Sequence, residues 1–401
     1  MLKKTLKDVQ LNGKKVLMRV DFNVPLNDDH VITDDTRVRA ALPSIKHILD
    51  NQAAGLILMS HLGRPKGEKL PQFSLAPVAA YLGGLIDAPV KMAPDVIGPE
   101  VDAMVADLKA GEILVLENTR YYNEEEGKNC TPEEQVVFAK TLASYGDVYI
   151  NDAFGTAHRA HASTAVICDY MDTCAAGFLL EKEIEYLGNT VEHPKRPFVA
   201  IIGGAKVSGK LEVLTALIKK VDTILIGGGM AYTFLKAAGF DVAKSLVEDD
   251  LLETAKATVK AAEAAGVTFL LPVDNIAADK FDADAETKLV GNDIPAGWMA
   301  LDIGPETAKL YAAEIATAKT VVWNGPMGCF EMPKFAAGTM AVCQAVAASD
   351  AVSIIGGGDS VSAVNQSGLA DKMSHISTGG GASLEFLEGK ALPGVVALDD
   401  K

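Results

Sequence analysis

Residues able to bind a small anion gather in the first half of the sequence. They combine carboxylate, carboxamide, imidazole and guanidinium side chains that fall in or beside predicted loops: Asp21, Asn23, Arg37, His61, Arg64, Arg120, Arg159 and His161. Arginine forms forked hydrogen bonds with carboxylate and phosphate, while Asp and Asn hydrogen-bond to hydroxyl groups. The set predicts a site for a small polyanion that carries at least one hydroxyl group.

Charge and arginine distribution support a local anion site. The formal net charge of the chain is −16, which argues against a nucleic-acid partner or an anionic membrane surface, because both require a positive field. The sequence has seven arginines, and none follows Arg196. A small anion is therefore expected in the first half of the chain.

Three glycine-rich segments mark the second half, at residues 203–210 (GGAKVSGK), 227–229 (GGG) and 356–360 (GGGDS). Glycine allows backbone N–H groups to approach phosphate oxygens, and a helix that follows adds the positive end of its dipole. Such loops can also be no more than tight turns between strand and helix. Three of them, each directly after a predicted strand, favour a nucleotide-phosphate site.

Charged residues accompany these glycines. Lys206 and Lys210 are four residues apart, so we expect them to share a helical face and to present two ammonium groups to phosphates. Asp359 follows a glycine triplet and suits a carboxylate ligand of nucleotide-bound Mg²⁺, although a lone Asp there can equally be a helix N-cap.

Two familiar nucleotide motifs are incomplete. Residues 204–210 match GxxxxGK, but Leu211 stands where a P-loop needs Ser or Thr to bind magnesium. Residues 227–232 fail GxGxxG, because Tyr232 replaces the third glycine, which disfavours an NAD-dependent dehydrogenase. His158 and His161 lack a third metal ligand, so a metal site is not predicted there. No nucleophile has an evident general base, so covalent catalysis is not predicted either.

The elements that must position these residues form an alternating β–α pattern. Short β-branched apolar runs alternate with Ala- and Lys-rich helical stretches, which is typical of doubly wound parallel α/β sheets, here two Rossmann-like domains. Ligands bind at the carboxyl ends of such strands. The predicted strands are residues 15–20, 55–59, 113–116, 148–150, 198–202, 223–226, 267–271, 320–323 and 352–355.

The length of 401 residues exceeds what one core usually supports, so two domains are expected. We place a helical hinge at residues 177–187, with an N-terminal domain at 1–176 and a C-terminal domain at 188–387. No apolar run is long enough to cross a bilayer, and the five cysteines form no CxxC pair. These features predict a cytoplasmic protein with reduced thiols.

Ten segments then resemble the phosphoglycerate kinase family, in the family's order and across the whole chain. They are VDFNVP (20–25), SHLGRPKG (60–67), LENTRYY (116–122), NDAFGTAHRAHAST (151–164), GGAKVSGK (203–210), GGGMAYTF (227–234), LDIGP (301–305), WNGPMGCFE (323–331), GGGDS (356–360) and STGGGASLE (377–385). The resemblance implies reversible phosphoryl transfer from 1,3-bisphosphoglycerate to Mg·ADP, giving 3-phosphoglycerate and Mg·ATP.

The resemblance also assigns roles. It implies that the acid is bound by Asp21, Asn23, Arg37, His61, Arg64, Arg120 and Arg159, and the nucleotide by Lys206, Lys210, Gly304, Asn324, Glu331, Gly356, Gly357, Gly358, Asp359 and Ser360. We expect charge neutralisation by Arg37, Lys206 and the backbone N–H groups of Gly357 and Gly380, with Asp359 on the metal. A monomer is implied, with residues 388–401 packed on the N-terminal domain. The alternatives are an NAD-dependent dehydrogenase and a catalytically inactive nucleotide-binding protein.

Overall fold

The computed structural model describes residues 2–401, apart from the side chain of Asn189. The chain divides into two compact units. Unit 1 comprises the residues up to Glu185 together with Ala391–Lys401, and unit 2 comprises Tyr186–Lys390. No helix within residues 2–401 is both long and apolar enough to cross a membrane.

Unit 1 is built on a six-stranded parallel sheet with strand order β3-β4-β2-β1-β5-β6. The central strands are buried along almost their whole length, as expected for a parallel sheet covered on both faces. The strands are β1 (Lys15–Val20), β2 (Gly55–Met59), β3 (Val90–Met92), β4 (Ile113–Val115), β5 (Val148–Asp152) and β6 (Cys174–Ala176).

Helices connect these strands and supply the apolar side chains that cover the sheet. Val38 and Ile45 of the first helix, for example, are fully buried in the same core as Val16 and Met18 of β1. The helices are α1 (Thr36–Asp50), α2 (Ala76–Gly83), α3 (Pro99–Asp107), α4 (Asn123–Glu126), α5 (Pro132–Ala143) and α6 (Phe178–Glu183).

Unit 2 contains a second six-stranded parallel sheet, of order β15-β14-β13-β7-β8-β9, and a three-stranded antiparallel sheet of order β11-β10-β12. The strands are β7 (Phe198–Ile202), β8 (Thr223–Ile226), β9 (Thr268–Leu270), β10 (Asn275–Ala278), β11 (Thr287–Val290), β12 (Met299–Ile303), β13 (Thr320–Asn324), β14 (Val352–Gly356) and β15 (His375–Ile376). All nine predicted strands are confirmed, and so is the α/β fold class.

The helices of unit 2 follow its strands in the same alternating way. Trp323 of β13 is fully buried at the centre of the core, against Tyr311 and Val342 from two of these helices. The helices are α7 (Thr190–Glu192), α8 (Leu211–Leu217), α9 (Met230–Ala237), α10 (Leu252–Ala264), α11 (Pro305–Thr317), α12 (Ala337–Ala348), α13 (Gly358–Ser367) and α14 (Gly381–Leu387).

The predicted helical hinge coincides with a change of helix type. After α6 the chain forms a π-helical turn over Ile184–Asn189 before α7 begins. The division between the two units, after Glu185, lies within this turn. π-Helical turns are rare and interrupt the regular hydrogen-bond pattern of an α-helix.

The C-terminal residues return to unit 1, where they form a short helix, α15 (Pro393–Val396). Lys3 Nζ donates to the carbonyl of Val396 at 3.0 Å and lies 2.8 Å from a carboxylate oxygen of Asp400. Asn151 Nδ2 donates to the carbonyl of Gly394 at 3.0 Å. These contacts join the last residues of the chain to its N-terminal segment and to β5.

A buried carboxyl group holds the start of α6. Asp152, at the end of β5, accepts a hydrogen bond from the backbone N–H of Leu180 at 3.0 Å, and its other oxygen, Oδ2, is buried without a partner among the described residues. Burial raises the pKa of Asp152 to about 7. In the folded protein this carboxyl is therefore mostly protonated below about pH 7.

Asp152→Asn is expected to remove a pH dependence of stability. Because the folded pKa is above the unfolded value of about 4, the native state binds more protons between these two values, and the unfolding free energy falls as pH rises through them. Wild type should lose on the order of a few kcal/mol relative to Asp152→Asn from about pH 4 to about pH 8. Urea unfolding at several pH values measures this effect. A difference in unfolding free energy between wild type and Asp152→Asn that stays constant with pH would contradict it. As a control, Asp172→Asn, at an exposed position, should show the same pH dependence as wild type.

Candidate active site

The parallel sheet of unit 1 brings the predicted acid-binding residues to one edge. Asp21 and Asn23 follow β1, His61 and Arg64 follow β2, Arg120 follows β4 and Arg159 follows β5, while Arg37 lies in the first turn of α1. Strands β4, β2, β1 and β5 are neighbours in that order. Their carboxyl ends, and the loops after them, therefore lie side by side.

Arg37 is held by two of the other predicted residues. Its Nη1 donates to the backbone carbonyl of Asn23 at 2.8 Å and to Asp21 Oδ1 at 3.2 Å. Asn23 Oδ1 in turn accepts from the N–H of Gly63 at 2.8 Å. Loops after β1 and β2 are thus joined to the start of α1, and the side chain of Arg37 remains 35% exposed.

One carboxylate oxygen lies close to several basic side chains, of which the His161 imidazole has its pKa lowered by burial to about 4. Glu126 Oε1 lies 3.8 Å from Arg120 Nε, 3.7 Å from Arg159 Nη1 and 3.9 Å from His161 Nε2. Burial lowers the pKa of the Arg120 guanidinium, and the charge of Glu126 opposes that effect. Glu126, at the end of α4, thereby offsets the mutual repulsion of charges from different loops.

Arg64 stands apart from this network. It is exposed and makes no hydrogen bond or ion pair with any other residue that the structure describes. Its guanidinium is free to bind a ligand without breaking an existing contact.

A buried polar chain beneath the exposed cations was missed by sequence reasoning. Arg19 and Glu125 are both fully buried, with Arg19 Nη2 3.6 Å from Glu125 Oε1. Ser163 Oγ accepts from Arg19 Nε at 2.7 Å and donates to Glu125 Oε1 at 2.6 Å. Arg19 lies inside an apolar strand, so no loop signal marked it.

In unit 2, the first two glycine-rich loops pack against each other and against a third segment. A Cβ atom on Gly203 would lie 2.1 Å from the carbonyl oxygen of Pro326, and one on Gly228 would lie 2.6 Å from that of Gly204. The N–H groups of Gly203, Gly204, Gly227 and Gly228 donate to the carbonyls of Asn324, Pro326, Ile202 and Met327. These four amides are already hydrogen-bonded within the protein, so the expectation that they surround phosphate is wrong.

The third glycine-rich loop has a different arrangement. Gly356 ends β14, and Gly357, at φ +87°, turns the chain into α13, which begins at Gly358. No side chain caps the first turn of α13, and Asp359 is exposed within it. The first N–H groups of a helix have no partner within that helix, so this turn can donate to an anion.

Gly380 occupies a similar position at the start of α14, with φ +48° and no side-chain cap. Ser360, by contrast, is buried, and its Oγ accepts from the N–H of Gly325 at 2.5 Å. Gly304 precedes α11, where a Cβ atom would lie 2.3 Å from the carboxylate of Asp274. The glycine at 304 is thus explained by the close approach of that carboxylate, which caps α11.

The two lysines do not share a helical face, contrary to expectation, because α8 begins at Leu211 and both precede it. Lys206 is exposed, whereas the half-buried Lys210 donates from Nζ to Asn324 Oδ1. Burial lowers the pKa of Lys210, and the charges of Asp359 and Glu388 oppose this. Asn324 Nδ2 is buried and lacks a partner among the described residues.

A cavity of about 670 Å³ opens beside these loops, within unit 2. Glu331 and Asp359 contribute to its lining, as do glycines of the first two loops, but most of the wall is apolar. Sequence reasoning did not find the apolar residues, which come from separate segments: Leu246, Phe281, Met299, Leu301 and Met332. An apolar slot of this kind, next to an uncapped helix start, suits a flat ring that carries an anionic group.

No group of three or more His, Cys, Asp or Glu within residues 2–401 is arranged to hold a metal ion. A cation at Asp359 would therefore need oxygen ligands from a bound molecule. Phosphate oxygens are such ligands, and Mg²⁺ commonly binds proteins through one or two carboxylates together with substrate phosphates.

Comparison with known proteins decides the family. The sequence profile described as "Phosphoglycerate kinase" matches residues 6–390. The chain belongs to the phosphoglycerate kinase family. It is 57% identical to the phosphoglycerate kinase of Chloroherpeton thalassium, over 100% of both chains, and 58% identical to that of Moorella thermoacetica, again over 100% of both.

Solved structures agree with this assignment. Phosphoglycerate kinase from Coxiella burnetii superposes with a TM-score of 0.87 at 40% identity, and that from Pyrococcus horikoshii with 0.82 at 32% identity. Each comparison covers 98% of both chains. The chain is accordingly a phosphotransferase that uses ATP and ADP and acts on small molecules, which confirms the predicted activity.

Proposed function

We propose that unit 1 binds 3-phosphoglycerate or 1,3-bisphosphoglycerate, that unit 2 binds Mg·ADP or Mg·ATP, and that the phosphoryl group passes directly between them. One observation carries this division of roles. The cluster of Arg37, Arg64, Arg120 and Arg159 lies wholly in unit 1, whereas the apolar cavity and the starts of α13 and α14 beside glycine-rich loops lie in unit 2.

The acid site rests on the residues around Arg37 and Glu126. Arg64, Arg120, Arg159 and His61 provide the donors for phosphate and carboxylate oxygens, and the carboxylate of Asp21 can accept from the substrate hydroxyl. When no ligand is bound, Glu126 partly neutralises Arg120 and Arg159. A ligand anion that binds these two arginines takes over part of that neutralisation.

The nucleotide site rests on the cavity and on the loop from Gly356 to Ser360. The base fits the apolar wall, and the phosphates extend toward the first turn of α13, Lys206 and Lys210. Bound with the nucleotide, Mg²⁺ supplies charge neutralisation to the phosphates, and Asp359 is its protein ligand. Gly304 and Ser360 contribute to this site indirectly. Gly304 leaves room for the carboxylate of Asp274, and Ser360 Oγ accepts a hydrogen bond from the N–H of Gly325.

Direct transfer needs no covalent intermediate and no protein base. The acyl phosphate is already activated, and the carboxylate that is released needs no proton. Catalysis then depends on in-line positioning and on neutralising the three equatorial oxygens of the transferred group. We assign that neutralisation to Arg37, Lys206 and the N–H groups of Gly357 and Gly380.

Transfer also requires the two ligands to meet in line with water excluded. We propose the segment 177–187, with the start of the π-helical turn, as the hinge that allows this. π-Helical turns within helices occur frequently at functional sites. We further propose that the enzyme acts as a cytoplasmic monomer.

Arg64→Ala tests the division of roles. Because Arg64 is exposed and makes no contact with another described residue, its loss should weaken 3-phosphoglycerate binding by about tenfold or more without disturbing the fold. Binding of ADP should be unchanged. Calorimetric titration of each ligand measures both effects.

The matched control is Arg39→Ala, since Arg39 is exposed on α1 and its guanidinium pairs with Asp35. It should leave both affinities unchanged. Loss of ADP affinity in Arg64→Ala, with acid binding intact, would overturn the assignment of ligands to units.

A further inference from the structure

The hydrogen bonds of Arg19 fix the direction of a buried polar chain. A guanidinium has five N–H donors and no acceptor. Arg19 Nε donates to Ser163 Oγ, Nη1 donates to the carbonyl of Val20, and Nη2 lies 3.2 Å from His61 Nδ1. Each atom that faces Arg19 must therefore accept a hydrogen bond.

This requirement decides where His61 carries its proton. An imidazole nitrogen accepts only when it is unprotonated, so Nδ1 cannot bear a hydrogen while Arg19 donates to it. Both the Nδ1–H tautomer and the doubly protonated imidazolium would place two N–H groups against each other at 3.2 Å. Only the neutral ring with its hydrogen on Nε2 satisfies the contact.

We propose that Arg19 is a positioning residue, which fixes His61 as the neutral Nε2–H tautomer so that Nε2 donates a hydrogen bond to an anionic oxygen of the bound acid. The second half of this statement rests on the proposed acid site. His61 then contributes a directed N–H group to that site, whereas the arginines contribute positive charge.

Glu125 and Ser163 hold the guanidinium of Arg19 in place. Ser163 Oγ donates to Glu125 Oε1 at 2.6 Å, and Ser163 N donates to Glu125 Oε2 at 3.0 Å. Burial acts to raise the pKa of the Glu125 carboxyl, but the charges of Arg19 and His161 and the bonds from Ser163 outweigh it, so that pKa lies below its usual value. Glu125 remains charged and keeps Arg19 in place.

The other groups that face the His61 ring act in the same direction. Arg19 comes from β1, Arg37 from α1, Arg120 from the turn after β4 and His161 from the loop after β5. Burial and the charges of Arg120 and Arg19, with smaller contributions from His161 and Arg37, hold the pKa of His61 well below its ordinary value. No described carboxylate is in hydrogen-bond contact with the ring to favour an imidazolium.

Nuclear magnetic resonance of the wild-type enzyme tests the tautomer assignment directly. Histidine labelled with ¹⁵N reports which ring nitrogen carries the proton, and the His61 signals are assigned by their loss in His61→Gln. We expect a neutral His61 with its proton on Nε2 at pH 6 to 8, and a shift of the Nε2 signal when 3-phosphoglycerate is added. A proton on Nδ1, or an imidazolium at pH 7, would overturn the tautomer assignment.

The response to ligand separates this inference from the proposed acid site. If 3-phosphoglycerate binds and moves other signals while the Nε2 signal of His61 stays unchanged, donation to the acid is wrong although the tautomer stands. If 3-phosphoglycerate does not bind the enzyme at all, the acid site itself is wrong.

A double variant tests the role of Arg19. Arg19→Gln with Glu125→Gln removes both buried charges together, because removing one alone would leave the other unpaired and destabilise the fold. A glutamine amide can either donate or accept, so both tautomers of His61 should become populated. The KM for 3-phosphoglycerate should rise about tenfold or more, with the KM for ATP unchanged.

The matched control is Arg39→Gln with Asp35→Asn, which removes an exposed ion pair from the same unit. It should leave the tautomer and both KM values as in wild type. A double variant of Arg19 and Glu125 that folds, keeps only the Nε2–H tautomer and keeps its KM would overturn the positioning role.

Discussion

Arg37→Ala is expected to lower kcat by about 10²- to 10³-fold, with a smaller change in the KM for 3-phosphoglycerate. The reason is that Arg37 is proposed to neutralise charge that develops on the transferred phosphoryl group, and an interaction made mainly in the transition state affects kcat more than KM. Its guanidinium is held by Asn23 and Asp21 at the start of α1, so it needs little reorganisation to act. Steady-state kinetics in both reaction directions measures the effect.

Arg39→Ala is the matched control for this substitution as well, because it removes a guanidinium from the same helix two residues away. It should retain wild-type kcat. A near-normal kcat in Arg37→Ala, or a change confined to KM, would assign Arg37 to ground-state binding only.

Lys206→Ala should lower kcat by a similar factor of about 10²-fold or more. Lys206 is exposed and forms no ion pair with another described residue, so its ammonium group is available to a phosphate. Since it has no buried contact to lose, thermal stability should remain close to that of wild type. Kinetics and a melting curve on the same preparation separate lost catalysis from lost folding.

Lys219→Ala provides the comparison, because Lys219 is another exposed lysine near the end of the following helix. It should leave kcat unchanged. If Lys206→Ala retained full kcat while Lys210→Ala lost it, the catalytic ammonium group would be the half-buried Lys210, next to Asn324.

The sequence predicted nine strands of the two parallel sheets and missed three of their edge strands, β3, β6 and β15, together with the antiparallel sheet of β10, β11 and β12. All nine predicted strands are β-branched apolar runs, whose composition is typical of strands buried on both faces. The missed strands lack this signal: β6 is Cys-Ala-Ala, β15 has two residues, and β11 is largely exposed. Their pairing depends on neighbours already in the sheet, which periodicity along one segment cannot reveal.

The acid-binding residues could be predicted because charged and amide side chains after apolar strands are conspicuous. The support beneath them could not, because Arg19 lies within a strand and Glu125 in an acidic run that reads as a solvated surface. The prediction that glycines of the first two loops surround phosphate failed for a different reason. Those of the first two loops allow three backbone segments to touch, which is a tertiary requirement that sequence spacing does not express.

The most direct test of the account is turnover by the purified protein. ATP, Mg²⁺ and 3-phosphoglycerate are mixed with it, and the 1,3-bisphosphoglycerate formed is coupled to NADH oxidation by glyceraldehyde-3-phosphate dehydrogenase. We expect turnover that requires all three components. No turnover from a folded protein that still binds ADP would contradict it, and would leave a nucleotide-binding protein whose arginine cluster serves another acid or none.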